Sequence, residues 1–228
     1  QLRSTQLVQV YNPVMSEISN KIVLKYLAIL PLGGRGGVVR LFMLSQGIRF
    51  EETLVPMDQW AATVKKEVTG SDNPAGHLPI LYLDDKIMTE HHSIMRYLSR
   101  RKGIYGTDVD EDFAVDSVAE CTKEWRADWV DFAFKRITPE DYAVKRAHYT
   151  NMVEKLLERF QKEGGPFLLG AKHSFADACI ASQMRDEALT QLPVQDSTPR
   201  MNALWKAYLN LPGAAEWCKE HGSGLPSE

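Results

Sequence analysis

The sequence predicts a mixed α/β domain followed by an all-helical domain. Three observations carry this. Strand and helix signals alternate from residue 21 to about 102, a polar, turn-rich linker follows at 103–112, and the apolar spacing is helical from 113 to 228. Residues 1–20 are set aside as a tag or flexible extension, because Gln1 to Val14 carry no useful period and Met15-Ser16-Glu17 reads like a natural start.

Each element has its own signal. Ile22 to Ile29 is an apolar run of strand length with β-branched residues at its ends. The glycine-rich turn Gly33–Gly37 follows, and Val38, Leu41, Phe42 and Leu44 continue at helical spacing. Phe50–Val55 reads as a second strand, and Ile80–Leu83 with Lys86–Met88 flank Asp84-Asp85 as a hairpin. A helix over Ser93–Arg101 completes a βαβ–ββα order. Downstream, Val118, Thr122, Trp125, Trp129 and Phe132 recur at steps of three and four, and Tyr149, Met152, Val153, Leu156, Leu157 and Phe160 form a cleaner stripe. Ser174-Phe175-Ala176-Asp177 has the shape of a capping box.

Composition narrows the function classes. The chain has 228 residues, 44% hydrophobic and 25% charged, with net charge −3, so it lacks the basic balance that nucleic acid or an anionic membrane would call for. Cys121, Cys179 and Cys218 are far apart and show no metal spacing, which fits a reduced, cytoplasmic chain. No apolar run is long enough to span a bilayer. His91 and His92 point about 100° apart on a helix and have no third ligand, so no metal site is expected. The Gly33–Gly37 turn lacks the Lys-Ser/Thr of a phosphate-binding loop.

The most informative stretch is Asn73-Pro74-Ala75-Gly76-His77-Leu78-Pro79-Ile80-Leu81, followed by Thr89-Glu90-His91-His92-Ser93. Proline cannot donate to a ladder, so Pro79 belongs at a strand start. With a cis bond there, the Leu78 N–H and C=O turn outward, free to pair with an extended peptide. The helix opening at Glu90-His91 offers unpaired N–H groups to a carboxylate. Such a site suits a small peptide with a free amine and carboxylate, and glutathione is one.

Together these motifs resemble the cytosolic glutathione transferase family, over nearly everything from Lys21 to Cys218. The features in register are Arg35-Gly36-Gly37-Val38-Val39-Arg40, the Asn73 to Pro79 approach, Glu90-His91 and Ser174-x-x-Asp177. The resemblance implies a thioredoxin-like N-terminal domain, a helical C-terminal domain, glutathione as co-substrate and a homodimer. It also implies a thiol-activating tyrosine just after the first strand. Counting back from Gly34-Arg35, that position falls on Ile29, which cannot donate. Tyr26 is three residues earlier, with a parity that directs it elsewhere and a buried core tyrosine as the plainer reading. Arg35 and Tyr26 are the catalytic candidates, with backbone N–H groups of the Leu32–Gly34 turn and the helix dipole as further aids to the thiolate.

By the same resemblance Glu90 meets the γ-glutamyl ammonium and His91 its carboxylate, Leu78 before Pro79 pairs with the cysteinyl unit, and Trp60 with Lys65 (or Lys66) holds the glycine carboxylate. Glu120 reaches the glutathione of a partner subunit. Leu32, Trp125, Arg126 and Trp129 are the candidates facing a hydrophobic electrophile. The expected function is addition of the glutathione thiol to that electrophile. Two alternatives are a glutathione-dependent cis/trans isomerase of an activated alkene, as in fungal secondary metabolism, and a non-catalytic scaffold.

Overall fold

The computed structural model describes residues 8–11, 21–193, 195 and 197–225. A short strand, β1 (Val8–Tyr11), precedes β2 (Ile22–Leu27), and α1 (Gly34–Ser45) crosses over to β3 (Phe50–Val55). Next come α2 (Met57–Gln59), a π-helical turn (Trp60–Val64) and α3 (Lys65–Gly70). β4 (Ile80–Leu83), β5 (Lys86–Thr89) and α4 (His91–Lys102) close the domain. The five strands form one sheet in the order β1-β3-β2-β4-β5. β2 and β3 are parallel, Val23 opposite Glu51 and Leu27 opposite Val55, and the other pairs are antiparallel.

The strand Val8–Tyr11 falls inside the segment expected to be a structureless extension, and there the expectation is corrected. β3 has an open edge, and main-chain groups pair along it whatever the side-chain period. The rest of that segment lies outside the described residues.

The second domain holds α5 (Val109–Ala133), α6 (Pro139–Phe160), α7 (Phe175–Leu189), α8 (Pro199–Leu209) and α9 (Pro212–His221). α4 ends at Gly103, whose φ of 66° suits a residue without a Cβ. α5 starts earlier than the expected linker allowed, because Asp108 caps it by accepting from the Asp110 and Glu111 N–H groups at 3.0 and 2.9 Å. At α7 Asp177 does what the capping-box motif asks, accepting from the Ser174 N–H and hydroxyl at 2.7 Å each and from the Leu168 N–H at 2.8 Å.

The core runs from the sheet through α1 and α4 into the helical domain, taking in Leu24, Phe42, Leu81, Leu98, Val118 and Phe175. α7 sits at its centre and is enclosed on all sides, so that even Arg185, Asp186 and Glu187 are buried. A helix buried all round is ordinarily apolar. Here the charges are paired: Glu187 accepts from Trp125 Nε1 at 2.7 Å, from Arg146 Nε at 2.6 Å and from the Tyr142 hydroxyl. Under α1, Arg40 grips Glu52 of β3 through Nε and Nη2.

Candidate functional site

Two hollows, each of about 560 Å³, meet at Arg35, His77 and Leu78 to form one cleft between the domains. The first is lined by Leu78, Pro79, Glu90 and His91 facing Glu120, Cys121 and Lys123 of α5. The second is lined by Tyr26, Ile29, Leu32, Trp60 and Lys65 facing Trp129, Val130, Ala133 and Phe134.

The corner at the end of β2 overturns one expectation. Ile22, Leu24 and Tyr26 alternate inward, and the Tyr26 ring lies directly on Gly36, where a Cβ would come within 2.1 Å of it. Ile29 was expected to face differently. Instead the Tyr26 hydroxyl and the Ile29 side chain flank Gly34 together and both line the second hollow. The parity argument failed because β2 ends at Leu27, and the irregular chain beyond it, with a cis bond at Leu30-Pro31, no longer alternates.

The turn amides expected to stabilise a thiolate are already engaged. Leu32 N–H donates to Ile29 O at 3.0 Å, Gly33 N–H to Asp186 Oδ1 at 2.7 Å, and Gly34 N–H to Asp186 Oδ2 at 2.8 Å. The Arg35 N–H donates to the Tyr26 hydroxyl oxygen at 3.0 Å. That leaves the phenolic proton of Tyr26 and the Arg35 guanidinium as the donors at this corner. Burial raises the Tyr26 pKa, so the hydroxyl is a donor rather than a base.

The Leu78-Pro79 bond is cis, and among the described residues neither the N–H nor the C=O of Leu78 finds a partner. Asn73 Nδ2 holds the preceding carbonyl, that of His77, at 3.0 Å. Across the hollow Glu90 occupies the N-cap of α4 at φ 64° and ψ 104°, a strained setting for a non-glycine residue, and no side chain caps this helix start. His91 is buried, and its pKa lies well below the ordinary value, first through burial and then through His92 and Arg35. It therefore faces the cleft as a neutral imidazole. At the other end Trp60 and Lys65 line the second hollow, whereas Lys66 lines neither.

Of the residues expected to meet the electrophile, Leu32 and Trp129 line the second hollow. Two do not, and are corrected. Trp125 is fully buried in the helical core and turns its Nε1 to Glu187 and Tyr142, away from both hollows. Arg126 is also buried, with Nη1 on Asp186 Oδ2 at 2.5 Å and Nη2 on Ser182 Oγ at 3.3 Å. Both lie about one helical step from the cleft-facing side of α5, a rotation that residue spacing leaves open. Glu120 lines its own chain's first hollow, where it pairs with Arg96 and approaches His92 Nδ1 at 3.4 Å.

Sequence reasoning missed Met57, His77, Val130, Ala133, Phe134 and Arg136 on the cleft wall, and Asp186 behind it. The residues at 130–136 carry no distinctive motif. Asp186 had a signal, the charged run Arg185-Asp186-Glu187 inside an otherwise apolar helix. The second hollow has three cationic side chains, Arg35, Lys65 and Arg136, and no carboxylate among its described lining residues. Among the described residues no His, Cys, Asp and Glu group could hold a metal, and no helix is long and apolar enough to cross a membrane.

Residues 123–221 match the family profile described as glutathione S-transferase, C-terminal domain. "Probable glutathione S-transferase 8" of Caenorhabditis elegans is 28% identical over 184 residues, which is 78% of this chain and 86% of that protein. "Glutathione S-transferase P" of Bos taurus is 27% identical over 175 residues, 76% of this chain and 81% of that one. A solved C. elegans glutathione S-transferase superposes with a TM-score of 0.73 at 25% identity, covering 88% of this chain and 98% of that structure. The mixed sheet, the helical domain and these relatives agree: the chain has the glutathione transferase fold, and its residues 123–221 match that family's C-terminal domain.

Proposed function

We propose that this chain binds glutathione in the first hollow and adds its thiol to a hydrophobic electrophile held in the second. The observation that carries the reading is Tyr26. Its hydroxyl oxygen is occupied by the Arg35 N–H, so its proton is free to point into the cleft.

A free thiol has a pKa of about 8.5, so at neutral pH little of it is ionised. Tyr26 donates to the sulfur and Arg35 adds positive potential, which together favour thiolate over thiol. The proton leaves to solvent, the sulfur forms a bond to the electrophilic carbon, and a leaving group departs or the adduct is protonated. Leu78 pairs with the cysteinyl backbone beside Pro79. Glu90 meets the γ-glutamyl ammonium, and neutral His91 donates to its carboxylate beside the uncapped start of α4. Trp60 and Lys65 hold the glycine carboxylate. Leu32 and Trp129, joined by Val130 and Phe134, form the apolar wall for the electrophile.

The isomerase and scaffold alternatives both leaned on the absence of a hydroxyl at Ile29. With Tyr26 in the cleft that ground is gone, and transfer is the better supported reading. A homodimer in which Glu120 serves the partner's site, and residence in the cytoplasm in keeping with three free cysteines, are part of the same proposal. Calorimetry with glutathione, together with turnover of a chloronitroaromatic, tests the core of it. Binding with turnover supports a transferase, binding without turnover redirects it to an isomerase, and no binding at millimolar glutathione sinks it.

A further inference from the structure

We propose that Asp186 is a positioning residue for the thiol corner: from α7 it fixes the Gly33–Gly34 peptide units that set Arg35 and the Tyr26 hydroxyl. The inference rests on the glutathione reading above.

The geometry is specific. Asp186 is fully buried, with Oδ1 on the Gly33 N–H at 2.7 Å and Oδ2 on the Gly34 N–H at 2.8 Å. Arg126 from α5 completes it at 2.5 Å, and the Arg126 guanidinium lies 5.0 Å from the Trp129 ring centroid on the electrophile wall. The next amide, that of Arg35, goes to the Tyr26 hydroxyl. Three successive N–H groups are thus held by two side chains from different domains, and moving the first two moves the third. Gly34 has a φ of +56°, a left-handed turn that glycine adopts without strain and that aims its N–H at Asp186. Arg185 anchors the same loop one step earlier, through Pro31 O at 2.9 Å.

Holding the domains together does not require a carboxylate here. Buried ion pairs are often replaceable by apolar residues without loss of stability. What a carboxylate supplies is two directed acceptors on adjacent amides. Its charge is balanced by Arg126, so the amides are fixed without a net negative charge being placed near the sulfur.

The test compares wild type with Asp186→Asn and with Gly33→Ala, whose added Cβ would sit 3.2 Å from both Asp186 oxygens. Glutathione affinity by calorimetry, kcat with a chloronitroaromatic, and the pH dependence of kcat/KM are read on protein whose fold is checked by circular dichroism. In Asp186→Asn the affinity should stay within about threefold, since the arms of glutathione are held elsewhere. kcat should fall on the order of 10²-fold and the thiol's apparent pKa should move up. Gly33→Ala should move both in the same direction, with kcat down about tenfold. A folded Asp186→Asn with an unmoved pH profile overturns the proposal, and so does equal loss of affinity and turnover. If Asp186→Asn does not fold, Gly33→Ala decides by the same readout. Failure of the wild type to bind glutathione is a separate result that removes the underlying reading and this inference with it.

Discussion

At the residue scale the cleft turns on how side chains meet glycines. The Tyr26 ring occupies the space a Cβ at Gly36 would need, so Gly36→Ala forces the ring out or the helix back. The expected cost is about 1–3 kcal/mol in urea unfolding, as for other overpacked sites. Turnover should fall with it, because the hydroxyl moves. Full activity and stability in Gly36→Ala would show that Tyr26 is not held as described. Tyr26→Phe isolates the chemistry. It removes the Tyr26 hydroxyl proton from the thiol corner and leaves the Arg35 N–H without its acceptor. The expectation is a kcat lower on the order of 10²-fold and a higher thiol pKa, with glutathione affinity little changed. A normal pH–rate profile in that variant would hand thiol activation to Arg35 alone. This position also marks where sequence reasoning stopped. The Leu78-Pro79 edge, Glu90 and His91 were singled out from local pattern, Trp60 and Lys65 from the family resemblance, and the structure brings all of them to one cleft. Tyr26 was misplaced because the residues after β2 form an irregular loop, and neither counting back along the chain nor strand parity survives such a loop.

At the element scale the start of α4 places two imidazoles in the interior, with ring centroids 4.4 Å apart. Burial is the main reason that the His92 pKa falls to about 4, despite the opposing pull of Glu120. An unfolded histidine titrates near about 6.5. Between those values the unfolded chain binds a proton that the folded chain refuses, so stability is complete above about pH 6.5 and declines as the pH falls towards 4. Over the whole window the loss is on the order of 3 kcal/mol from His92. Buried His91 adds to it in the same direction. Urea midpoints at pH 7 and pH 4.5 check this, and His92→Gln should flatten the difference. An equal acid loss in that variant would assign the effect to other groups. α5 teaches a different lesson. Its helical period was plain in the sequence, yet Trp125 and Arg126 turned out to be core while Trp129 reached the cleft. A period defines a stripe, and which part of the stripe meets a neighbour is settled only when α6 and α7 pack against it.

At the scale of the whole molecule the two domains share α1. Its leading loop is tied to α7 through Asp186 and Arg185, and its far end is tied to the helical domain again. There Ser45 Oγ lies 2.6 Å from the Tyr208 hydroxyl and Gln46 Nε2 donates to His173 O at 3.3 Å. Between the ends, Trp217 of α9 lies near two guanidinium groups, Arg40 at 5.4 Å and Arg185 at 4.5 Å from its ring centroid. Opening the domains would strip Asp186 and Arg185 of the main-chain amides and carbonyl that the first domain supplies, and leaving such groups short of partners in the interior costs more than a lost contact. The domains should therefore unfold together. Trp60 reports on the first domain, and Trp125, Trp129, Trp205 and Trp217 on the second. In a variant that keeps Trp60 as its one tryptophan and in the Trp60→Phe variant, the urea transition seen by fluorescence should coincide with the loss of helix followed by circular dichroism in the same protein. Tyr208→Phe, which removes one link, should lower stability by about 1 kcal/mol and keep the transitions coincident. Separate midpoints for the two probes would mean that the ties along α1 are too weak to couple the domains, and that the cleft between them opens before either domain melts.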